Sequence, residues 1–194
     1  PGDVKYVDVN HDGAINANDK VDLGNGLPKY TFGFNFTLGY KGFDLSANFT
    51  GAAGFQIAQS YRDPSGSQGN YSHRILGRWT GEGTTNEMPR VTYGDVGNWL
   101  FSDLYLQDGD YIRLQNLTLG YDFKKLISWK GLSKLRLYFQ VQNLFTLTKY
   151  DGMDPEIGSY NGTDGNSSDS WVSGVDMGYY PHPRTFIVGV NVAF

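Results

Sequence analysis

Cysteine is absent from the 194 residues, so no disulfide framework and no thiolate metal site can form, and redox compartment leaves no trace. Basic residues are few. Sixteen Lys and Arg against twenty Asp and Glu give a net charge of −4, which argues against a nucleic-acid surface. No apolar run approaches the length of a membrane helix, so an α-helical span is excluded. Strands that alternate apolar and polar residues stay compatible with a membrane, because alternation keeps hydropathy low. No repeat of fixed period is visible. There is no nucleophile–His–acid arrangement and no GxGxxG phosphate loop, and His11, His73 and His182 stand alone in sequence. Glu82, Glu87, Asp154 and Glu156 read as solvated loop charges rather than a catalytic carboxylate pair, so an enzyme is not expected. The chain opens on Pro1 with no charged-then-apolar leader, which sets the expectation of further residues upstream and of a C-terminal piece.

Aromatic residues and glycine are plentiful. Fourteen Tyr, twelve Phe and 26 Gly suit strands, aromatic girdles and turns better than helices. The last ten residues, TFIVGVNVAF, show why. Phe186, Val188, Val190, Val192 and Phe194 fall on one face at a period of two, and the chain stops on an aromatic inside the strand. The outward face of a transmembrane barrel strand needs that pattern along its whole span.

Four further strands follow the same rule. Tyr30, Phe32, Phe34, Phe36, Leu38 and Tyr40 make one apolar stripe, which resumes after Lys41-Gly42 at Phe43, Leu45, Ala47 and Phe49. Residues flanking a two-residue hairpin turn share a face, so the apolar face continues across it. The opposite side carries Gly, Ser, Thr and Asn with few charges, which suits a hydrated lumen. In Tyr111–Phe123 the apolar positions change from even, at Ile112 and Leu114, to odd, from Leu117 onward. A β-bulge near Gln115-Asn116, or a strand that continues above the membrane with a different exposure, would explain the change. Leu135, Leu137, Phe139 and Val141 alternate again, and Asn143 interrupts that face near a strand end.

The expected strands are therefore about 29–41, 43–55, 110–123, 134–147 and 184–194. Their connections alternate short and long, with a short helix expected at Ser72–Trp79 inside the first long one. Outer-membrane barrels have short periplasmic turns and long extracellular loops. With Phe194 placed in the periplasm, both long segments fall outside. Tyr40, Phe43, Tyr121, Phe123, Trp129 and Phe194 then form a periplasmic girdle. Five strands cannot close a barrel, so others are expected upstream.

Residues 1–28 read as a separate extracellular loop, and 29–194 as the strands and loops of one barrel domain. Within the first lies DVNHDGAINAND, which matches the twelve-residue calcium loop. Asp8, Asn10, Asp12, the carbonyl of Ala14, Asn16 and Asp19 take the ligand positions, with Gly13 at the turn. Asp19 replaces the usual bidentate Glu. Any calcium here is structural. Trp79, Trp99 and Trp171 are candidate stacking platforms for a substrate.

Six blocks in fixed order carry a resemblance. They are GDVKYVDVNHDGAINANDK, LGNGLPKYTFGFNFTLGYKGFDLS, RWTGEGTTNEMPR, GDYIRLQNLTLGYDF, LYFQVQNLFTLTKYDGMDPE and YYPHPRTFIVGVNVAF. They span nearly the whole chain, which resembles the C-terminal end of the SusC/RagA-like TonB-dependent outer-membrane transporters. The resemblance implies an all-β fold, the last five antiparallel strands of a 22-stranded transmembrane barrel, set in the lipid of a Gram-negative outer membrane. It implies a plug domain and a TonB-contacting segment upstream, a SusD-like surface lipoprotein as partner, and oligosaccharides or peptides as substrates. It also implies that the Phe186–Phe194 stripe is the signal read by the barrel-assembly machinery. The competing expectation is a soluble all-β calcium-dependent carbohydrate-binding or adhesion module.

Overall fold

The computed structural model describes residues 1–59, 73–85, 87–91, 97–127, 129–157 and 173–194. Eight strands lie among them: β1 (Tyr30–Tyr40), β2 (Phe43–Ala53), β3 (Gln56–Gln59), β4 (Leu106–Asp108), β5 (Tyr111–Asp122), β6 (Lys134–Thr148), β7 (Val175–Asp176) and β8 (Thr185–Ala193). The five long strands form one antiparallel sheet in the order β1-β2-β5-β6-β8. Each coincides with an expected strand to within two residues. The β1–β2 turn needs two left-handed residues, and Lys41 (φ 47°) and Gly42 (φ 98°) supply them.

Register turns the five alternations into two continuous faces. Leu38, Leu45, Leu119, Phe139 and Val188 stand opposite one another across all five strands. Phe36, Ala47, Leu117, Val141 and Phe186 make the next row, and Tyr40, Phe43, Tyr121, Leu137 and Val190 another. Much of this face is open. Phe34 is 60% exposed, Leu119 49% and Val188 71%. A soluble sheet would hide such a surface, and an exposed apolar patch of this extent marks contact with a partner or a membrane. The other face runs polar: Asn35, Asn48, Asn116, Gln142 and Thr185 form one row.

At one end of the apolar face the expected girdle residues touch. Phe43 and Tyr121 ring centroids are 4.4 Å apart, Tyr121 and Phe123 4.9 Å, and Trp129 and Phe194 6.2 Å.

The two long connections hold more structure than the sequence suggested. β3 and β4 come from the first and β7 from the second, and they join as a three-stranded sheet in the order β4-β3-β7. These strands are two to four residues long, too short to show alternation, and their partners lie far away in sequence. Beside them Ala52, Phe55, Ile57 and Tyr150 form a buried cluster with Tyr111 and Ile157 against it. The expected helix at Ser72–Trp79 is instead a single 3-10 turn, His73–Gly77. So short an apolar run cannot repay helix nucleation. Ser72 lies outside the described residues.

Contacts divide the chain into two units, Pro1–Gly24 with Gln59–Leu106, and Asn25–Ala58 with Gln107–Phe194. The first is held by polar ties. Arg90 grips Asp3 with Nε at 2.6 Å and NH2 at 2.9 Å, while the buried Asn98 donates to Asp3 (2.8 Å) and accepts from Val4 N–H (2.7 Å). The second contains the five-stranded sheet.

Candidate functional site

The polar face of the five-stranded sheet carries its charges in two places. The first is near the girdle end. Arg136 on β6 reaches across β5 to Asp44 on β2, with Nε 2.8 Å from Oδ1 and NH2 bonded to Oδ2. Gly120 lies beneath this bridge. A Cβ there would fall 2.6 Å from Arg136 Nε, so a larger residue would make the pair shift to cross. Tyr138 continues the layer, stacked under the Arg136 guanidinium at 5.0 Å and leaning over Gly189. A paired charge of this kind is tolerable facing water or a lumen and costly facing lipid, so it marks which face is wet.

The second place depends on a bulge. Between the Asn48–Asn116 and Phe49–Leu114 pairs, β5 carries one extra residue, Gln115. The β5–β6 register shifts at the same point, where Asn143 and Leu144 oppose Gln115. Asn143 takes φ 51°, a conformation asparagine tolerates, and its side chain donates to Pro183 O at 3.0 Å. That accounts for the break in the β6 pattern. The expected bulge has a consequence beyond the apolar stripe. Each residue of slip exchanges the two faces, so Ile112 and Leu114 stay on the apolar side while Arg113 moves to the polar side, opposite Thr50 and Thr146.

Arg113 is buried there, 3% exposed, and every nitrogen has a partner. Nε donates to Thr146 Oγ1 at 2.9 Å, NH1 to Glu156 Oε2 at 2.6 Å, and NH2 to Asp154 Oδ1. Tyr111 stacks on the guanidinium at 5.7 Å. Asp154, 4% exposed, accepts in addition from the backbone N–H of Glu156 (2.9 Å) and of His182 (3.0 Å). Burial alone would raise the Asp154 pKa. The two backbone N–H groups, the His182 side chain and the Arg113 charge outweigh burial and hold it below the usual carboxylate range. Asp154 is thus not a solvated loop charge, and His182 is not isolated: its Nδ1 lies 3.0 Å from Asp154 Oδ2. Neither fact is legible as a motif, because the partners are separated by 28 to 69 residues. Parity carried through the phase change at Gln115 would have revealed Arg113. Beside the cluster opens a cavity of about 270 Å³, lined by Arg113, Asn143, Thr146, Met153, His182 and Arg184 among others.

The calcium-like loop lies in the first unit. Gly13 takes φ 83°, and the acids curl the backbone around them. Asp8 accepts from Asp12 N (3.2 Å) and Gly13 N (2.8 Å), Asp12 from Ala14 N (2.8 Å), and Asp19 from Asn16 N (2.8 Å) and Val9 N (2.9 Å). The backbone bond from Asn16 leads the contacts that hold the Asp19 pKa below the usual carboxylate range, and Asp8 and Asp19 stand at the first and last positions of the loop. Two acids at those positions suit a cation. Against that, the Ala14 carbonyl accepts from Asn16 Nδ2 at 3.1 Å. Among the described residues no three His, Cys, Asp or Glu side chains are gathered at metal-ligand spacing.

The candidate stacking residues fare differently. Trp79 is half-buried, lies over Gly2, and lines a cleft of about 460 Å³ with Met88, Pro89, Glu87 and Asp103. Trp99 sits in the 3-10 turn Gly97–Trp99, but its side chain falls outside the described part of the structure, as does the whole of Trp171. Of the three, Trp79 is the one whose side chain the structure describes. Phe186, Val188, Val190, Val192 and Phe194 share one exposed face at the sheet edge, where β8 pairs with β6 on one side only.

No protein-family model matches the chain. It is 35% identical to TonB-dependent receptor P3 of Formosa agariphila over 196 residues, covering 100% of the chain and 19% of that protein. It is 28% identical to TonB-dependent receptor SusC of Bacteroides thetaiotaomicron over 193 residues, covering 97% of the chain and 17% of that protein. The chain therefore spans about a fifth of the length of these relatives. In structure it matches a chain of the RagAB peptide transporter with a TM-score of 0.70 and 22% identity, over 93% of this chain and 19% of that one. A match to the RagAB peptide importer in its "closed-closed" state has a TM-score of 0.66, with 21% identity over 94% of this chain and 20% of that one. The named relatives are receptors and transporters, not enzymes.

Proposed function

We propose that the chain, which is similar over its length to TonB-dependent receptors, SusC among them, is part of the wall and outer loops of a TonB-dependent outer-membrane importer. In this reading the five strands belong to a 22-stranded barrel. The full-length protein carries a plug and a TonB-contacting segment, and a SusD-like surface lipoprotein works with it to import oligosaccharides or peptides. The observation that carries the reading is the pair of faces. Unbroken apolar rows lie open on one side, and an Asp44–Arg136 bridge with a row of amides lies on the other. β1 has eleven residues, the length of a tilted strand that crosses a bilayer. The same exposed face is what a soluble carbohydrate-binding module would lack. Among the candidate substrate contacts, Trp79 lines a cleft in which a ring could stack on a substrate.

A strain lacking the full-length gene should lose growth on one oligosaccharide or peptide source and regain it on complementation. Equal growth of the deletion strain on every such source would overturn the reading.

For Asp8–Asp19 we propose a structural calcium ion held by Asp8, Asn10, Asp12, the Ala14 carbonyl, Asn16 and Asp19. At about 10 mM calcium, a site with the 10⁻⁴–10⁻³ M affinity of extracellular modules would contribute roughly 1–3 kcal/mol to its unit. Calorimetry on the full-length protein should show calcium binding that is lost in Asp12→Ala. An absence of binding heat in the unsubstituted protein would end the proposal.

A further inference from the structure

One atom in the Arg113 cluster has two incompatible neighbours. Nδ1 of His182 lies 3.0 Å from Asp154 Oδ2 and 3.1 Å from Arg113 NH1. A guanidinium nitrogen can only donate, and an ionised carboxylate can only accept. A bare Nδ1 therefore satisfies Arg113 and sets its lone pair against Asp154. An Nδ1 that carries a proton, in the neutral Nδ1–H tautomer or in the imidazolium, satisfies Asp154 and sets an N–H against Arg113, and the bond to Asp154 is the stronger, charge-assisted one in the imidazolium. The second arrangement costs Arg113 little, because NH1 keeps Glu156 Oε2 at 2.6 Å.

With a neutral imidazole the cluster holds one cation, Arg113, and two anions, Asp154 and Glu156. An imidazolium balances them. The other groups facing the site are Tyr111, stacked on Arg113, and Arg184 across the cavity, which has no partner among the described residues.

The position gives the toggle something to move. β8 pairs with β6 only from Lys134 to Gln142. Beyond that point the segment Pro181–Arg184 takes the place of a strand beside β6, tied by the Asn143–Pro183 bond, and its two prolines prevent regular pairing. Its other ties in this region are those of His182 to the Arg113 cluster.

We propose that Arg113, Asp154, Glu156 and His182 form a proton-responsive latch. Imidazolium formation at His182 tightens the hold on residues 153–156 and on the Pro181–Arg184 segment. Its loss slackens both and widens the 270 Å³ cavity between them. The latch does not depend on which solute is carried.

The test is hydrogen exchange on the full-length protein in lipid nanodiscs, with rates corrected for intrinsic pH dependence. Between about pH 8 and pH 5.5, where histidine side chains change charge, amides of 153–157 and 180–184 should gain protection by about tenfold, the ratio given by one charge-assisted hydrogen bond. Amides of β5 and β6 on the girdle side of the bulge should not change. His182→Asn keeps a polar atom near the Nδ1 position and removes the titration, so it should abolish the gain. Protection that is independent of pH in the unsubstituted protein overturns the latch without need of any variant. A gain that survives in H182N overturns it as well. Exchange reports on the segment and not on import, so a failed latch and a failed transport reading remain distinguishable.

Discussion

Leu119→Arg is expected to destabilise the full-length protein in lipid bilayers by more than a water-facing site would allow, towards the roughly 2–4 kcal/mol that an arginine costs at mid-depth on the outside of a barrel. Leu119 lies on β5, the middle strand of the sheet, in the row Leu38, Leu45, Leu119, Phe139 and Val188. It is 49% exposed. On a water-facing surface such a change would alter stability by no more than about 0.5 kcal/mol. The two environments thus predict costs several-fold apart for one side chain. Thr118→Arg, one residue away on the polar face, is the control and should cost little in either setting. Denaturant titration from liposomes reads both. A Leu119→Arg cost no larger than that of Thr118→Arg would sink the lipid assignment of this face.

Arg113→Met should produce the largest local loss, about 3–5 kcal/mol, by leaving the carboxylate of Asp154 buried without its cation. Limited proteolysis should detect this as opening of residues 149–157, while the five-stranded sheet stays folded. Adding Asp154→Leu should recover much of the loss, because the pair is then removed as a whole. A double variant as weak as the single would show that shape at Arg113, not charge, is what matters.

The acid side gives a second readout of the same pair. The Asp154 pKa is lowered in the folded protein, so its contribution is complete above the unfolded carboxylate range. It is lost as pH falls through the lower folded value. The attachment of residues 149–157 should therefore weaken in the unsubstituted protein only once pH falls below the ordinary carboxylate range, well under the interval in which the His182 latch is tested. It should be acid-insensitive in the double variant.

The sequence alone was informative wherever the deciding physics is local. Alternation at a period of two depends only on the pleat, so β1, β2, β5, β6 and β8 could be drawn to within two residues. The Lys41-Gly42 turn followed from the sharing of a face across a tight hairpin. The phase change in Tyr111–Phe123 revealed a bulge, because one inserted residue reverses parity. The loop of Asp8 to Asp19 could be aligned with a ligand pattern because all its members lie within twelve residues. The same locality explains what was missed. β3, β4 and β7 are too short to carry a period, and each exists only because a distant segment pairs with it.

By itself, then, the sequence determined the strands, their apolar stripe and the likeness to outer-membrane importers, because each is written in neighbouring residues. Only the tertiary structure decided where the charges went. It was the cross-strand register that placed Arg136 over Gly120 to meet Asp44. The slip at Gln115 turned Arg113 to the polar side, and closure of segments 41 and 69 residues away brought Asp154 and His182 to it. Parity along one strand is a local quantity. Which residues meet across strands depends on the sum of every turn and bulge between them, and no single stretch of chain contains that sum.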